Sequence, residues 1–342
     1  MRPLKPLPPQ LAIVTSRQEG LVSSVQLDEM GVGAAWRHRL VRQCRLIRVT
    51  HGVYDIDPVP PDQRSRADLL DHLRRRPAWV GLLAGGPGST AVGLCALALY
   101  RVKGLPRTIR PEVVAPGGRW RPARDGIVFR KVGGMVTGRF SGDFRIASVT
   151  DALALGVAQM GRDDAVAVMD DLLHTRTATV DDLARAHDLA RGHRGVDTTH
   201  PWWRMANGRA ESPLESAARM ACLDAGIPPD ALQLVVRDPA GKHLGRVDLA
   251  WLLPDGTWLL VEIDGADVHS TPEAVFRDRG RQNDLMSAGG ARVLRFTARD
   301  IRSRMVATLA PVLHEAGWSP GHHDDDGQPV TLGARLLNLN EV

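Results

Sequence analysis

Asp248, Glu262 and Asp264 are acids set into sequence that otherwise reads as buried sheet, where uncompensated charge is costly. Trp258-Leu259-Leu260-Val261-Glu262-Ile263-Asp264 is apolar enough to be covered on both faces, yet it carries two carboxylates near its end. Residues two apart leave a strand on the same side, so Glu262 and Asp264 project together. Asp248 lies on the adjoining strand of the same hairpin, and antiparallel pairing brings it close to them. Three carboxylates crowded in this way repel and raise one another's pKa unless a cation is present. A hard divalent ion with oxygen ligands, Mg²⁺ or Mn²⁺, resolves that conflict. A purely structural role for the three acids is the competing reading.

The elements that must position these acids follow from the flanking sequence. Ser212-Pro213-Leu214-Glu215 opens a helix, with an N-cap hydroxyl, proline in the first turn and glutamate three residues after the cap. Leu214, Ala217, Ala218, Ala221 and Ala225 share one face of it, and Gly226 closes it. Two strand-like runs, Leu232–Arg237 and Leu244–Leu252, are joined by a turn at Asp238-Pro239-Ala240-Gly241. Pro254-Asp255-Gly256 turns the chain into the acidic strand. Thr271-Pro272 opens a helix to about Ala288, Ala291–Phe296 is a buried strand, and Arg299–Ala316 is a last helix. The expected order is αβββαβ.

This spacing resembles the PD-(D/E)XK nuclease superfamily, and within it the DUF559-like, very-short-patch-repair-like group. The likeness is carried by Glu215, Arg246-Val247-Asp248, Val261-Glu262-Ile263-Asp264-Gly265, His269, Arg277-Asp278 with Arg281-Gln282-Asn283, and Arg292-Val293-Leu294-Arg295-Phe296. It implies a restriction-endonuclease-like core over residues 209–317. It also implies that Asp248 and Glu262 hold the metal, with the Ile263 carbonyl as a further ligand. Asp264 stands where many members have lysine, which leaves the general base open. A metal that lowers the pKa of its own water is one solution, and His269 as assistant or ligand is another. Arg277 and Arg281, four apart on one helix face, would bind or stabilise the scissile phosphate. Quieter readings stand beside these. Glu215 would serve only as a capping-box partner. His269 would be a helix-entry or surface histidine, and Arg277 and Arg281 would pair with Glu273, Asp278 or Asp284.

The start of the chain has a different character. Ser23–Met30 and Gly33–Cys44 read as short helices. Arg45-Leu46-Ile47-Arg48-Val49-Thr50-His51-Gly52-Val53-Tyr54 then alternates as a strand pair, with Gly52 in its turn. Helix, turn, helix and ribbon is the layout of a winged helix, whose second helix enters a DNA major groove. Between Glu29 and Asp55 there is no acid, while Arg37, Arg39, Arg42, Arg45 and Arg48 occur with His38 and His51. A phosphate backbone rewards that clustering by counterion release. A solvated basic helix is the plain alternative. Residues 8–57 also resemble the N-terminal winged-helix domain of AbiEi-type antitoxins, and 62–190 the α/β segment that follows it there. That resemblance implies double-stranded DNA and a cognate nucleotidyltransferase-type toxin as partners.

Within 62–190, Ser89–Leu94 reads as part of an apolar helix, Pro111–Pro116 and Ile127–Arg130 as short strands, and Ile146–Gln159 and Asp163–Leu173 as amphipathic helices. Gly85-Gly86-Pro87-Gly88-Ser89-Thr90 imitates a phosphate loop. It has no lysine before the hydroxyl pair, and Pro87 removes a cradle N–H, so it reads as a helix-start loop.

The 342 residues are too many for one ordinary domain and predict an α+β and α/β multidomain chain. The net charge of +5 is compatible with a polyanion partner without requiring one. Cys44, Cys95 and Cys222, odd in number and far apart, predict free thiols of a reducing compartment. There is no secretory h-region at the start, and the longest apolar run, Ala91–Tyr100, is short of the ~20 residues a bilayer needs. A cytoplasmic location and no membrane partner are therefore expected. The tail 318–342 is expected to be disordered, and its His322-His323-Asp324-Asp325-Asp326 run reads as a disordered polar run, with weak metal binding as the alternative. The leading expectation is a DNA-binding, Mg²⁺-dependent endonuclease acting in defence or repair. Its rival is an AbiEi-like antitoxin or transcriptional regulator with a catalytically inactive nuclease fold.

Overall fold

The computed structural model describes residues 6–57, 59, 61–132, 136–238, 240–265, 291–321 and 330–331. The chain divides into two compact units, Met1–Ala206 and Asn207–Val342. Both mix helices and sheets, so the fold is α+β. Among the described residues no helix is long and apolar enough to cross a membrane.

The first unit begins with α1 (Pro9–Ser16), β1 (Leu21–Ser23), α2 (Ser24–Glu29), α3 (Ala34–Arg42), β2 (Ile47–Thr50) and β3 (Val53–Asp55). The sheet order is β1-β3-β2, antiparallel throughout, and Gly52 takes a positive φ of 75° where the ribbon turns. The expected helix pair and ribbon are present, and α1 and β1 add a helix and a third strand to them. Ser23 caps α2 with a reciprocal Gln26 box, satisfying backbone N–H groups that a helix start leaves open. Leu11, Val22, Leu27, Val32, Leu40 and Leu46 form the core beneath.

The rest of this unit is built on α4 (Arg66–Gly85), β4 (Thr90–Ala91), α5 (Gly93–Leu99), β5 (Glu112–Val114), β6 (Val128–Phe129), β7 (Gly138–Ser141) and β8 (Phe144–Ala147). Helices α6 (Val149–Gly156), α7 (Arg162–His174) and α8 (Val180–Ala190) follow. Its sheet runs β6-β5-β4-β8-β7. Two boundaries correct the sequence reading. Thr90–Ala91 is the central strand, so the helix expected from Ser89 begins only at Gly93. Ile146 belongs to β8, and α6 starts at Val149 because the Ser148 side chain accepts from the Asp151 N–H. The glycine-rich stretch closes α4, with Gly86 donating to the Leu82 carbonyl, and does not open a helix.

The second unit carries α9 (Pro213–Asp224), β9 (Ala231–Arg237), β10 (His243–Leu252), β11 (Trp258–Asp264), β12 (Ala291–Thr297), α10 (Ala298–Ser303), α11 (Met305–Glu315) and β13 (Val330–Thr331). The sheet order is β12-β11-β10-β9-β13. The strands β9, β10 and β11 are antiparallel, β12 is parallel to β11, and β13 is parallel to β9. The helix expected over 271–288 lies outside the described residues. The single last helix expected from Arg299 is two helices broken at Arg304, where the φ,ψ pair of −142° and −12° is not helical. Part of the tail also pairs, since Val330 and Thr331 extend the sheet and Trp318 donates its indole N–H to Asp230 at 2.8 Å.

The sheet is covered on both faces. Leu249, Trp251, Leu259, Val261 and Phe296 pack with Ala218 and Cys222 of α9 and with Ile301, Met305 and Leu309 of α10 and α11. Leu234, Val236, Val247, Ala250, Leu252, Trp258 and Leu260 are buried on the other face. This two-sided burial explains why β11 reads as a nearly continuous apolar run.

Candidate functional site

The α9 N-terminus supplies the first acid. Ser212 caps the helix by accepting from the Glu215 N–H at 3.2 Å, and its hydroxyl donates to Glu215 Oε1 at 2.7 Å. Glu215 Oε2 accepts from the Glu211 N–H at 2.9 Å and from the side-chain amide of Gln233 at 2.8 Å. The carboxylate that completes the cap is therefore also the one that meets Gln233.

The same Gln233 amide nitrogen donates to Asp248 Oδ1 at 2.9 Å, so one NH₂ group joins the two acids. Asp248 Oδ2 accepts from the Ile263 backbone N–H at 2.6 Å, which anchors it to the end of β11. The pairings Leu232↔Leu249 and Leu234↔Val247 place Gln233 directly opposite Asp248. Gln233 has φ +53°, the left-handed region that a non-glycine residue occupies at a cost of roughly 1–2 kcal/mol. The side-chain alternation breaks at this pair. Leu232 and Leu249 pack in the core under α9, whereas Leu234 and Val247 pack on the opposite face. Gln233 sits between these two packings, and its amide reaches both Glu215 and Asp248.

Burial raises the Asp248 pKa above the usual carboxylate value, and the negative charge of Glu215 pushes the same way. The Ile263 N–H, the Gln233 amide and the more distant Arg246 oppose the shift. Arg246 itself pairs with Glu211 at 2.7 Å.

Glu262 is buried on β11, and its carboxylate meets the Arg295 guanidinium at 2.6 Å, from the position directly across on β12. Asp264 is exposed at the end of β11, opposite Thr297. The expected convergence of Asp248, Glu262 and Asp264 thus resolves differently: Asp248 is joined to Glu215, and Glu262 to Arg295. The β10–β11 ladder ends at Leu249↔Val261, and Asp248 meets β11 through the Ile263 N–H, one residue beyond Glu262. Among the described residues there is no group of three His, Cys, Asp or Glu that would hold a metal ion. His269, Arg277 and Arg281 lie outside the described residues.

The arginines of the N-terminal segment divide into two kinds. Arg37 is mostly buried; it pairs with Asp28 and donates to the Val32 carbonyl at 2.8 Å and the Ser24 carbonyl at 3.4 Å. It ties α3 to the turn before it and is not presented to a ligand. Arg39, Arg42 and Arg48 are exposed, Arg45 is half-buried, and Arg48 approaches the His51 ring at 3.3 Å.

Two residues with a part in the site carried no assigned role in the sequence reading. Gln233 is the lone polar residue before the apolar run Leu234–Val236, and that isolation is its only signal. Arg295 interrupts a buried strand in the same way, but its pairing with Glu262 follows from the parallel register of β11 and β12.

Two uncharacterized proteins, from two strains of Mycobacterium tuberculosis, are each 31% identical to this chain over 280 residues. The match covers 81% of this chain and 95% of theirs. No family model matches the chain, and no solved structure matches it.

Proposed function

From the premise that this chain belongs to one family with those uncharacterized Mycobacterium tuberculosis proteins, we propose that it is a DNA-directed, metal-dependent phosphodiesterase of PD-(D/E)XK type. The observation that carries the proposal is the single Gln233 amide shared by Glu215 and Asp248, with Asp248 also held by the Ile263 N–H next to Glu262 on β11. A left-handed glutamine whose amide bridges two acids supports a functional role for them.

The donor chemistry suits a hard divalent cation. Every group is an oxygen ligand, and two carboxylate oxygens already converge on one partially positive NH₂. Asp248 and Glu262 would hold Mg²⁺ or Mn²⁺, with Glu215 alongside. Such an ion supplies Lewis acidity toward a phosphoryl oxygen. Asp248 is oriented for this by the Ile263 N–H, and Glu215 by its cap. Asp264, exposed two residues beyond Glu262, is the acid available to take a proton from water, with His269 as the other candidate. Arg281 and Arg277 would neutralise the phosphate.

The N-terminal segment supports the DNA half of the proposal. Its order α1-β1-α2-α3-β2-β3 fits a winged helix, with Arg39 and Arg42 on the exposed side of α3, Arg48 on the ribbon and Arg45 between them. Arg37 would act indirectly, by fixing α3. Duplex DNA is the partner that these charges suit.

A second reading is favoured by the Arg295–Glu262 pair. A guanidinium already neutralises the acid that would hold the metal, and Asp264 stands where a lysine is common. On that reading the second unit is an inactive nuclease fold, and the chain is an AbiEi-like regulator paired with a nucleotidyltransferase-type toxin. Titrating Mg²⁺ and Mn²⁺ against supercoiled, linear, mismatched and single-stranded DNA separates the two. Metal-dependent cleavage of at least one substrate is expected. Specific binding to its own promoter with no cleavage of any substrate would establish the regulator.

A further inference from the structure

The positive charge of this chain is concentrated away from the winged segment. Residues 86–147 contain eleven Lys and Arg against three Asp and Glu, a local net charge of +8 where the whole chain carries +5. Of the eleven cations, nine are exposed, and Arg130 and Arg145 are half-buried. Of the three acids, Glu112 is buried against Arg130 and Gln159, and Asp125 takes the Thr50 hydroxyl at 2.6 Å.

The strand β7 forms one edge of the five-stranded sheet, and its residues Gly138 to Phe140 are exposed, with an aromatic on one face and Arg139 on the other. Phe140 is 74% exposed, a large apolar area to leave in water. Arg145, its cross-strand partner on β8, lies over the ring at 5.2 Å. On the neighbouring residue, Arg139 lies over Tyr100 at 4.6 Å. Toward the other edge, Trp120 is 65% exposed beside Arg121, whose guanidinium lies over Phe129 at 5.7 Å. Guanidinium groups held against aromatic rings, with further ring surface left open, match the chemistry of an unpaired nucleotide: a phosphate for the cation and a base for the ring. A duplex buries the faces of its bases and gives Phe140 nothing to stack on.

We propose that the β7–β8 hairpin is a single-stranded nucleic-acid binding surface, with Phe140 as the base-stacking platform and its cross-strand neighbour Arg145 as the phosphate partner. It is separate from the duplex contact assigned to α3, and it does not depend on the carboxylates of the second unit. Its place in the protein would be to hold a strand that is unpaired near the target.

The test is fluorescence anisotropy of a short labelled oligodeoxythymidine with the full chain, in EDTA so that cleavage plays no part. Wild type is expected to bind the single strand. Phe140→Ala should weaken binding roughly 5- to 150-fold, equivalent to about 1–3 kcal/mol per stacked base, and Phe140→Tyr should restore it. Arg145→Ala should flatten the log–log salt dependence by about 0.7, the slope of one phosphate contact on a single strand. Equal affinity of wild type and Phe140→Ala overturns the proposal. So does the absence of binding to any oligonucleotide, which would leave an acidic protein surface as the occupant. Neither result bears on whether the second unit cleaves DNA.

Discussion

Replacing Gln233 by glutamate keeps the shape of the side chain and turns its donor into an acceptor. In the wild type, one NH₂ group makes charge-assisted bonds of 2.8 and 2.9 Å to Glu215 and Asp248. Hydrogen bonds to charged groups contribute about 1.5–3 kcal/mol each, so the substitution should cost the second unit roughly 3–6 kcal/mol above neutrality. The cost has a ceiling, because three neighbouring acids would keep one proton instead of all ionising. In mildly acidic buffer that retained proton makes one of them a donor, and the penalty should fall to about a single lost bond, ~1.5–3 kcal/mol. Mg²⁺ or Mn²⁺ should also recover stability in the variant, since a cation takes the place the amide held. Urea unfolding of wild type and Gln233→Glu, at both pH values and with and without the divalent ion, measures all three effects. A loss under about 1 kcal/mol that ignores pH and metal would refute the argument, because that is the range of an ordinary surface change.

Further consequences concern Asp248 and the arginines of α3. The folded-state pKa of Asp248 is raised above its ordinary value, so the folded chain holds that proton more firmly than the unfolded one. Its contribution to stability is therefore fully present below the ordinary aspartate pKa of 3.8 and is lost as pH rises through the raised value. Thermal unfolding across that window should show Asp248→Asn flattening the decline, and an unchanged profile would remove Asp248 as its source. Exposed Arg39 and Arg42 should act on duplex binding alone. Their double alanine variant should keep its melting temperature and lower the log–log salt slope by about 1.8, for two B-DNA phosphates. Arg37→Ala should instead destabilise the N-terminal segment, because it removes the tie between α3, Asp28 and Val32. Melting curves and salt titrations of the two variants would show the same pattern in both if this division were wrong.

Much of the second unit was legible because its signals are local. The apolar run with acids at its end fixed β11. Ser212-Pro213 with Glu215 fixed the start of α9, and the Gly256 turn fixed the hairpin. The N-terminal helix pair and ribbon were legible for the same reason, through Gly31, Gly33 and Gly52. Pairings that depend on register were not. Whether Glu262 faces a metal or Arg295 depends on how β12 aligns with β11, and no feature of either strand alone encodes that. The left-handed backbone of Gln233 is imposed by its surroundings, since glutamine has no preference for that region. The misplaced start of α6 is different in kind. Ser148 followed by Asp151 is a cap signature, and it was hidden by reading the apolar residues from Ile146 onward as one helix. β13 is two residues long and owes its existence to the open edge of β9, so no periodicity announced it.

Carboxylates gathered around Asp248 are proposed to support hydrolysis of a phosphodiester bond. Conversion of supercoiled plasmid to open circles in Mg²⁺, compared between wild type and Asp248→Ala purified in parallel, tests it most directly. Mg²⁺-dependent nicking by the wild type is expected, abolished by EDTA and reduced by Asp248→Ala to the background of the buffer. Equal conversion by the two proteins, or none by either, would contradict it.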